Sequence, residues 1–234
     1  DVAAASARGI KVTNTPDVLN DDVADLAVGM MLAFTRNMVA NAEWLARGDW
    51  AGRGDPPLAR KMSGARVGIM GLGRIGREIA NRLAAFKAEI HYHSRSAKDV
   101  PEGWVWHKNP ADLAAASDYM IIALVGGKET EGYVSADVIA ALGPDAVVVN
   151  ISRGSTVDEV ALLDALEAGR IRGAALDVFR TEPALDPRFL ALKNVFLQPH
   201  QGSATVETRK GMGALQRGNI IAHLGGKPLL TPVN

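Results

Sequence analysis

The stretch VGIMGLGRIGREIA, residues 67–80, decides the fold. It opens on a short apolar run, 67–70, and from residue 74 its apolar positions take helical spacing; between them lies GLGRIG at 71–76, a GxGxxG turn. In a strand–turn–helix unit the first glycine of such a turn permits a tight bend, the second lets backbone amides approach a pyrophosphate, and the third lets the helix pack close on the strand. The plainer alternative is a turn chosen for packing alone. The context of buried strand and following helix favours a dinucleotide site, with Gly71, Leu72, Gly73, Arg74, Ile75 and Gly76 as candidate cofactor-binding residues.

Outward from this unit the pattern repeats. Short β-branched or apolar runs recur at 89–93 (EIHYH), 119–124 (YMIIAL), 146–151 (AVVVNI), 174–179 (AALDVF) and 194–198 (NVFLQ), with WVWH at 104–107 a weaker candidate. Helical spacing occupies 74–86, 110–116, 135–142 and 158–168. Near-continuous apolar strands alternating with helices predict a doubly wound parallel α/β sheet, buried on both faces. Ahead of it the spacing predicts one long helix from Asn20 to Arg47, capped by Asn20 or Asp21 and ended by Gly48, with Val23, Ala27, Met30, Phe34, Met38 and Leu45 near one face. The loop 48–57 (GDWAGRGDPP) is expected to be non-helical and carries Trp50. A last helix is expected over 203–224, opened by Ser203 and closed by Gly225 and Gly226.

Composition narrows the function. Of 234 residues 47% are hydrophobic, and 26 basic residues balance 26 acidic ones without a like-charge block, which gives no sign of a nucleic-acid stripe. The longest apolar runs, 26–34 and 119–127, fall well short of the roughly 20 residues of a membrane span. The absence of cysteine removes disulfides, thiolate metal sites and cysteine nucleophiles, and suits a cytoplasmic location. The chain starts at Asp1 with no signal-like segment, and is expected to be a fragment of a longer protein.

The turn after the second strand indicates which dinucleotide. An NAD site places an acid about 20 residues beyond the glycines to hold the ribose hydroxyls, whereas here Ser94, Arg95, Ser96 and Lys98 stand there. A guanidinium and hydroxyls suit a 2′-phosphate that a carboxylate would repel, so NADP is expected, with NAD possible. The alternative is a solvated basic loop.

Three ionisable residues follow the carboxyl ends of strands: Arg153 after 146–151, Glu182 after 174–179 and His200 after 194–198. Ligands bind along that edge of an open parallel sheet. Carbonyl reduction needs a proton donor, a carboxylate to favour its cationic form, and a fixed positive charge for a substrate carboxylate, which His200, Glu182 and Arg153 can supply. Taken singly, Arg153 could instead pair with Asp158, Glu182 be a loop charge and His200 a surface ring. Of the other histidines, His91 and His93 lie two apart on a strand with no third ligand and read as strand-end packing rather than a metal site; His107 reads as a loop residue and His223 as a late helical one.

The segments VGIMGLGRIGREIA (67–80), VVVNISRGSTVDEVALLDALEAGRIRGAALDVFRTEP (147–183), LQPHQGSAT (197–205), RGIKVTNTP (8–16) and GGKPLLTPVN (225–234) resemble the D-isomer-specific 2-hydroxyacid dehydrogenases over nearly the whole chain. The resemblance implies that Arg153 binds substrate, His200 is the acid/base, Glu182 orients and charges it, and Asp177 contacts the nicotinamide carboxamide. It also implies cofactor contacts at Val125, Ile151, Ser152 and Gly202. HSRS at 93–96 is similar to the NADPH-preferring glyoxylate and hydroxypyruvate reductases, and Glu182 differs from the glutamine of formate dehydrogenases. By the same resemblance residues 15–200 form the dinucleotide-binding domain, while 1–14 and 201–234 are remnants of a flavodoxin-like substrate domain; the 20–47 region is expected to form a homodimer through the coenzyme domain. The activity implied is reduction of a small 2-keto acid to the D-2-hydroxy acid. The alternative from a different class is a dinucleotide-sensing module like the family's corepressors.

Overall fold

A computed structural model describes all 234 residues. Seven parallel strands form one sheet in the order β3-β2-β1-β4-β5-β6-β7: β1 (Arg66–Met70), β2 (Glu89–His93), β3 (Val105–His107), β4 (Tyr119–Ile122), β5 (Val147–Asn150), β6 (Gly173–Leu176) and β7 (Val195–Leu197). The chain runs outward through β2 and β3, then returns to lay β4 against β1, which makes the β1/β4 boundary the switch point where such sheets bind ligands. Every residue of β4, β5 and β6 is buried, as apolar strands covered on both faces require.

The sheet separates two apolar layers. On one face Val67, Ile69, Ile90, Ile121 and Val149 meet α2 (Asn20–Thr35) and α5 (Arg74–Ala85). On the other, Met70, Met120, Ile122, Val148 and Leu176 meet α6 (Pro110–Ala115), α7 (Ala136–Ala140), α8 (Glu159–Glu167) and α9 (Arg188–Ala191). Three strands end before the runs read from the sequence do: Ala123 and Leu124 after β4, Ile151 after β5 and Asp177 after β6 turn along the carboxyl edge.

The expected 20–47 helix is two. Asn37 takes the left-handed conformation (φ 51°), its side-chain tolerance for that region allowing a sharp break, and α3 (Met38–Ala46) departs from α2 at 56°. Neither Asn20 nor Asp21 caps α2; Leu19 holds the cap position with no side-chain bond. The supposed face is therefore divided. Met30 is 1% exposed in the core and Phe34 packs against Gly173, whereas Met38 and Leu45 are 53% and 61% exposed. The 48–57 segment is also not wholly a loop, because Asp49–Arg53 forms a short helix, α4, tied down by Arg47 Nε to Asp49 at 2.8 Å, by Trp44 Nε1 to the Gly54 carbonyl at 3.1 Å and by the Arg53 guanidinium over the Trp44 ring.

The last helix, α10 (Val206–Leu224), is opened by Thr205 rather than Ser203: the Thr205 hydroxyl accepts from the Thr208 amide, while the residues before it are held back toward the sheet edge. His107 is the last residue of β3 and not a loop residue. At the termini, a short first helix, α1 (Val2–Ala7), leads into a segment that pairs with the chain's end: Thr13 bridges Pro232, and Asn234 Oδ1 accepts the Val12 amide at 2.8 Å.

Candidate active site and cofactor groove

The turn from β1 into α5 has the geometry that its glycines predict. Gly71 adopts φ +101°, and a Cβ there would lie 2.8 Å from the Ala123 carbonyl oxygen; a Cβ on Gly76 would lie 2.1 Å from the Gly71 carbonyl. Any larger residue would force β1, β4 and α5 apart. Gly73 is different, for a Cβ there would meet nothing within 4 Å. Its open side is the approach to the α5 N-terminus, whose first amides have no side-chain cap and present an anion site.

Along that approach runs a groove of about 760 Å³, lined on one side by Gly71, Leu72 and Gly73, on another by Ser94, Arg95 and Ser96 with Lys98, and across it by the loop that follows β4. A second hollow of about 220 Å³ shares Val125 with the groove and continues past Arg74 and Ile75 to Ile151, Ser152 and Arg153. The two together reach from the basic turn after β2 to the turn after β5. Gly76 packs inside this unit without lining either hollow.

Three elements position the ionisable residues. After β5, Asn150 folds its side chain into the turn: Oδ1 accepts the Ser152 amide at 3.0 Å and Nδ2 donates to the Arg153 carbonyl at 3.2 Å, while the Ser152 hydroxyl donates to the Leu124 carbonyl. Arg153 is left exposed and makes no ion pair with Asp158, whose carboxylate caps α8 by accepting the Ala161 amide. After β6, the Glu182 carboxylate turns back to accept the Phe179 amide through Oε1 at 2.8 Å. After β7, His200 stands in the left-handed region at φ 55°, and its Nδ1 donates to Glu182 Oε2 at 2.6 Å.

Asp177 sets the loop beyond His200. It is 1% exposed, and its two oxygens accept the amides of Gln201 at 2.6 Å and Gly202 at 2.8 Å. Burial pushes its carboxyl above the usual range despite those bonds. Glu182 goes the other way: burial raises it, but the His200 hydrogen bond, the Phe179 amide and the charges of His200 and Arg153 outweigh that, so its carboxyl lies below the usual range and is ionised at neutral pH. Asp177 and Gly202 line neither hollow; they buttress the His200 loop from within. A third hollow of about 360 Å³ lies beside the Glu182–His200 pair, walled by Phe179, Leu185, Leu190 and Leu197.

Spacing missed some groove residues. His93 and Tyr133 line it, as do Lys128 and Glu129 in the loop after β4. The rule that ligands meet strand carboxyl ends pointed to that loop, but no motif marked individual residues within it. His91 and His107 lie apart from the groove's glycines, their rings joined at 2.9 Å between Nδ1 and Nε2, and no group of three potential metal ligands occurs in the structure.

Residues 28–202 match the family described as D-isomer specific 2-hydroxyacid dehydrogenase, NAD binding domain. The chain is 48% identical over 233 residues to the hydroxyphenylpyruvate reductase of Plectranthus scutellarioides, covering 100% of this chain and 74% of that protein. Among solved structures, a 2-hydroxyacid dehydrogenase from Ketogulonicigenium vulgare superposes with a TM-score of 0.96 at 50% identity, covering 100% of this chain and 74% of that one. The NADPH-dependent glyoxylate/hydroxypyruvate reductase of Sinorhizobium meliloti, solved with NADP and malonate, superposes with a TM-score of 0.95 at 45% identity, covering 100% and 73%.

Proposed function

Since the chain belongs to the D-isomer-specific 2-hydroxyacid dehydrogenases, we propose that its groove takes NADPH in preference to NADH and that His200, Glu182 and Arg153 reduce a small 2-keto acid of the glyoxylate or hydroxypyruvate type. The chain is an NAD(P)-dependent oxidoreductase; the substrate assignment and residue roles are our reading. The matched relatives named above are a dehydrogenase and reductases, and nothing in them supports the corepressor alternative.

The residues fit the cofactor. Gly73 leaves its side of the turn open, the α5 N-terminus offers unpaired amides, and Ser94, Arg95 and Lys98 meet the requirements of a 2′-phosphate. When bound, the dihydronicotinamide supplies a hydride. The chain's own residues do the rest. Arg153, exposed where the second hollow ends, holds the substrate carboxylate; His200 protonates the carbonyl oxygen from Nε2; Glu182, bonded to Nδ1, fixes the ring and favours its cationic form. We assign Val125, Ile151 and Ser152 to the nicotinamide end of the site, with Asp177 and Gly202 holding its floor. The observation that carries this reading is the 2.6 Å His200–Glu182 pair at the same sheet edge as the dinucleotide groove. The test follows NADPH absorbance with glyoxylate and with hydroxypyruvate in a protein that carries this chain with a complete substrate domain: consumption of NADPH that stops in His200→Ala, while that variant still binds NADPH, supports it. Failure to bind NADPH contradicts it.

We further propose that residues 15–200 are the dinucleotide-binding unit, with 1–14 and 201–234 belonging to the substrate side. A homodimer forms through α3 and α4, where Met38, Val39, Leu45 and Trp50 are exposed on two helices with no buried residue of their own, followed by the exposed Leu58. No single helix is long and apolar enough to cross a membrane, and we place the protein in the cytoplasm on its cysteine-free composition.

A further inference from the structure

One wall of the groove holds a hydrogen-bonded pair that the proposed mechanism does not use. His93 closes β2 and is 4% exposed. Its Nδ1 lies 2.9 Å from the His107 carbonyl oxygen, which can only accept, so Nδ1 carries a proton. Its Nε2 lies 2.7 Å from the hydroxyl of Tyr133, and both residues line the groove with Ser94 and Arg95. In the neutral ring Nε2 has only a lone pair; the Tyr133 hydroxyl then donates its single proton to His93 and shows the groove an acceptor. Once the ring takes up a proton, Nε2–H donates to the Tyr133 oxygen, and the tyrosine O–H is released as a donor. A ribose hydroxyl can donate to the first form. A 2′-phosphate dianion, which only accepts, requires the second.

We propose that Tyr133, held by His93, is a specificity-determining residue for the adenosine ribose end of the cofactor, and that binding a 2′-phosphate draws one proton from solvent onto His93 whereas binding NADH draws none. This rests on the reading of the groove as the cofactor site. The surrounding charges supply the coupling. From β3, His107 presents its carbonyl to His93 while its ring pairs with His91; burial and, for His91, the neighbouring His107 push both imidazoles toward neutrality, with Asp112 on α6 opposing this at His107. From the turn after β2 come Arg95 and Lys98, and from the loop across the groove Lys128 and Glu129. A bound dianion places negative charge among these groups and beside His93. Protonation and phosphate binding therefore favour each other.

The experiment is calorimetric titration of the 234-residue chain with NADPH and with NADH in two buffers of different ionisation heat, at about pH 8, where a phosphate monoester with a second pKa near 6 is already dianionic. The expected result is about one more proton taken up per NADPH than per NADH. Tyr133→Phe should weaken NADPH by about tenfold while leaving NADH within about twofold, and His93→Gln should abolish the difference in proton uptake. Equal proton counts for the two cofactors, or a Tyr133→Phe chain with unchanged preference, overturn the inference. Arg95→Ala separates this from the reading beneath it. If Arg95→Ala loses the preference for NADPH while Tyr133→Phe keeps it, the inference falls and the cofactor site stands; if neither substitution changes the preference, both fall.

Discussion

The loop that presents His200 depends on one buried acid. Asp177 accepts both the Gln201 and Gly202 amides, so Asp177→Asn, which replaces one acceptor oxygen with an NH2 group, leaves a buried amide without a partner. We expect a loss of about 1–3 kcal/mol in urea unfolding, together with reduced turnover. Unchanged stability would show that the loop is held by other contacts. At the other end of the groove, Arg95→Ala should remove most of an NADPH preference of at least about tenfold, roughly 1.4 kcal/mol, measured by fluorescence titration of both cofactors. Equal affinities in the wild-type chain would contradict the assignment. His200 was legible because histidine is scarce in the chain and Arg95 because it stands where an acid is expected, and both lie just beyond strand ends, where a parallel sheet binds ligands. Tyr133 was not, since a tyrosine in a loop after β4 gains meaning only from the His93 ring that faces it across 40 positions of sequence.

Elements were legible where periodicity was strong and misread where one residue could break it. Asn37 adopts the left-handed conformation and splits one helical pattern into α2 and α3, a change in direction that apolar spacing does not register. The consequence is functional. Met30 and Phe34, which a single continuous helix would place with the exposed arm of α3 and α4, belong to the core, so a charge there should unfold the domain rather than separate subunits. Leu45→Asp and Trp50→Asp lie on the exposed arm and should yield folded monomers in sedimentation velocity, with far-ultraviolet circular dichroism unchanged. Dimers that persist in both variants would place the interface elsewhere. Strand ends were overestimated for a related reason. Ala123, Leu124 and Ile151 continue the apolar runs of β4 and β5, yet they leave the ladder to line the site, and hydrophobicity alone does not distinguish a core residue from the floor of a groove.

Across the whole molecule, the doubly wound order follows from alternation of apolar strands and helices, and the switch between β1 and β4 places the glycine turn, the basic turn and Arg153 along one edge. Strand-end spacing did not supply the closeness of Glu182 to His200, which only the family resemblance implied; it depends on the backbone beyond β6 folding the carboxylate onto the Phe179 amide and on the left-handed His200 turning its ring to meet it. The central claim is that this pair is the acid of carbonyl reduction. Glu182 is held below the usual carboxylate range and is therefore negatively charged at neutral pH, favouring the imidazolium that donates the proton. Reduction needs that protonated form, so activity falls as pH rises through the histidine's titration. Removing the negative charge must make the fall begin earlier. The direct measurement is the pH profile of kcat/KM for glyoxylate reduction by a protein that carries this chain with a complete substrate domain and by its Glu182→Gln variant: the account predicts a basic limb displaced to lower pH in the variant, and a limb that stays in place with activity retained would contradict it.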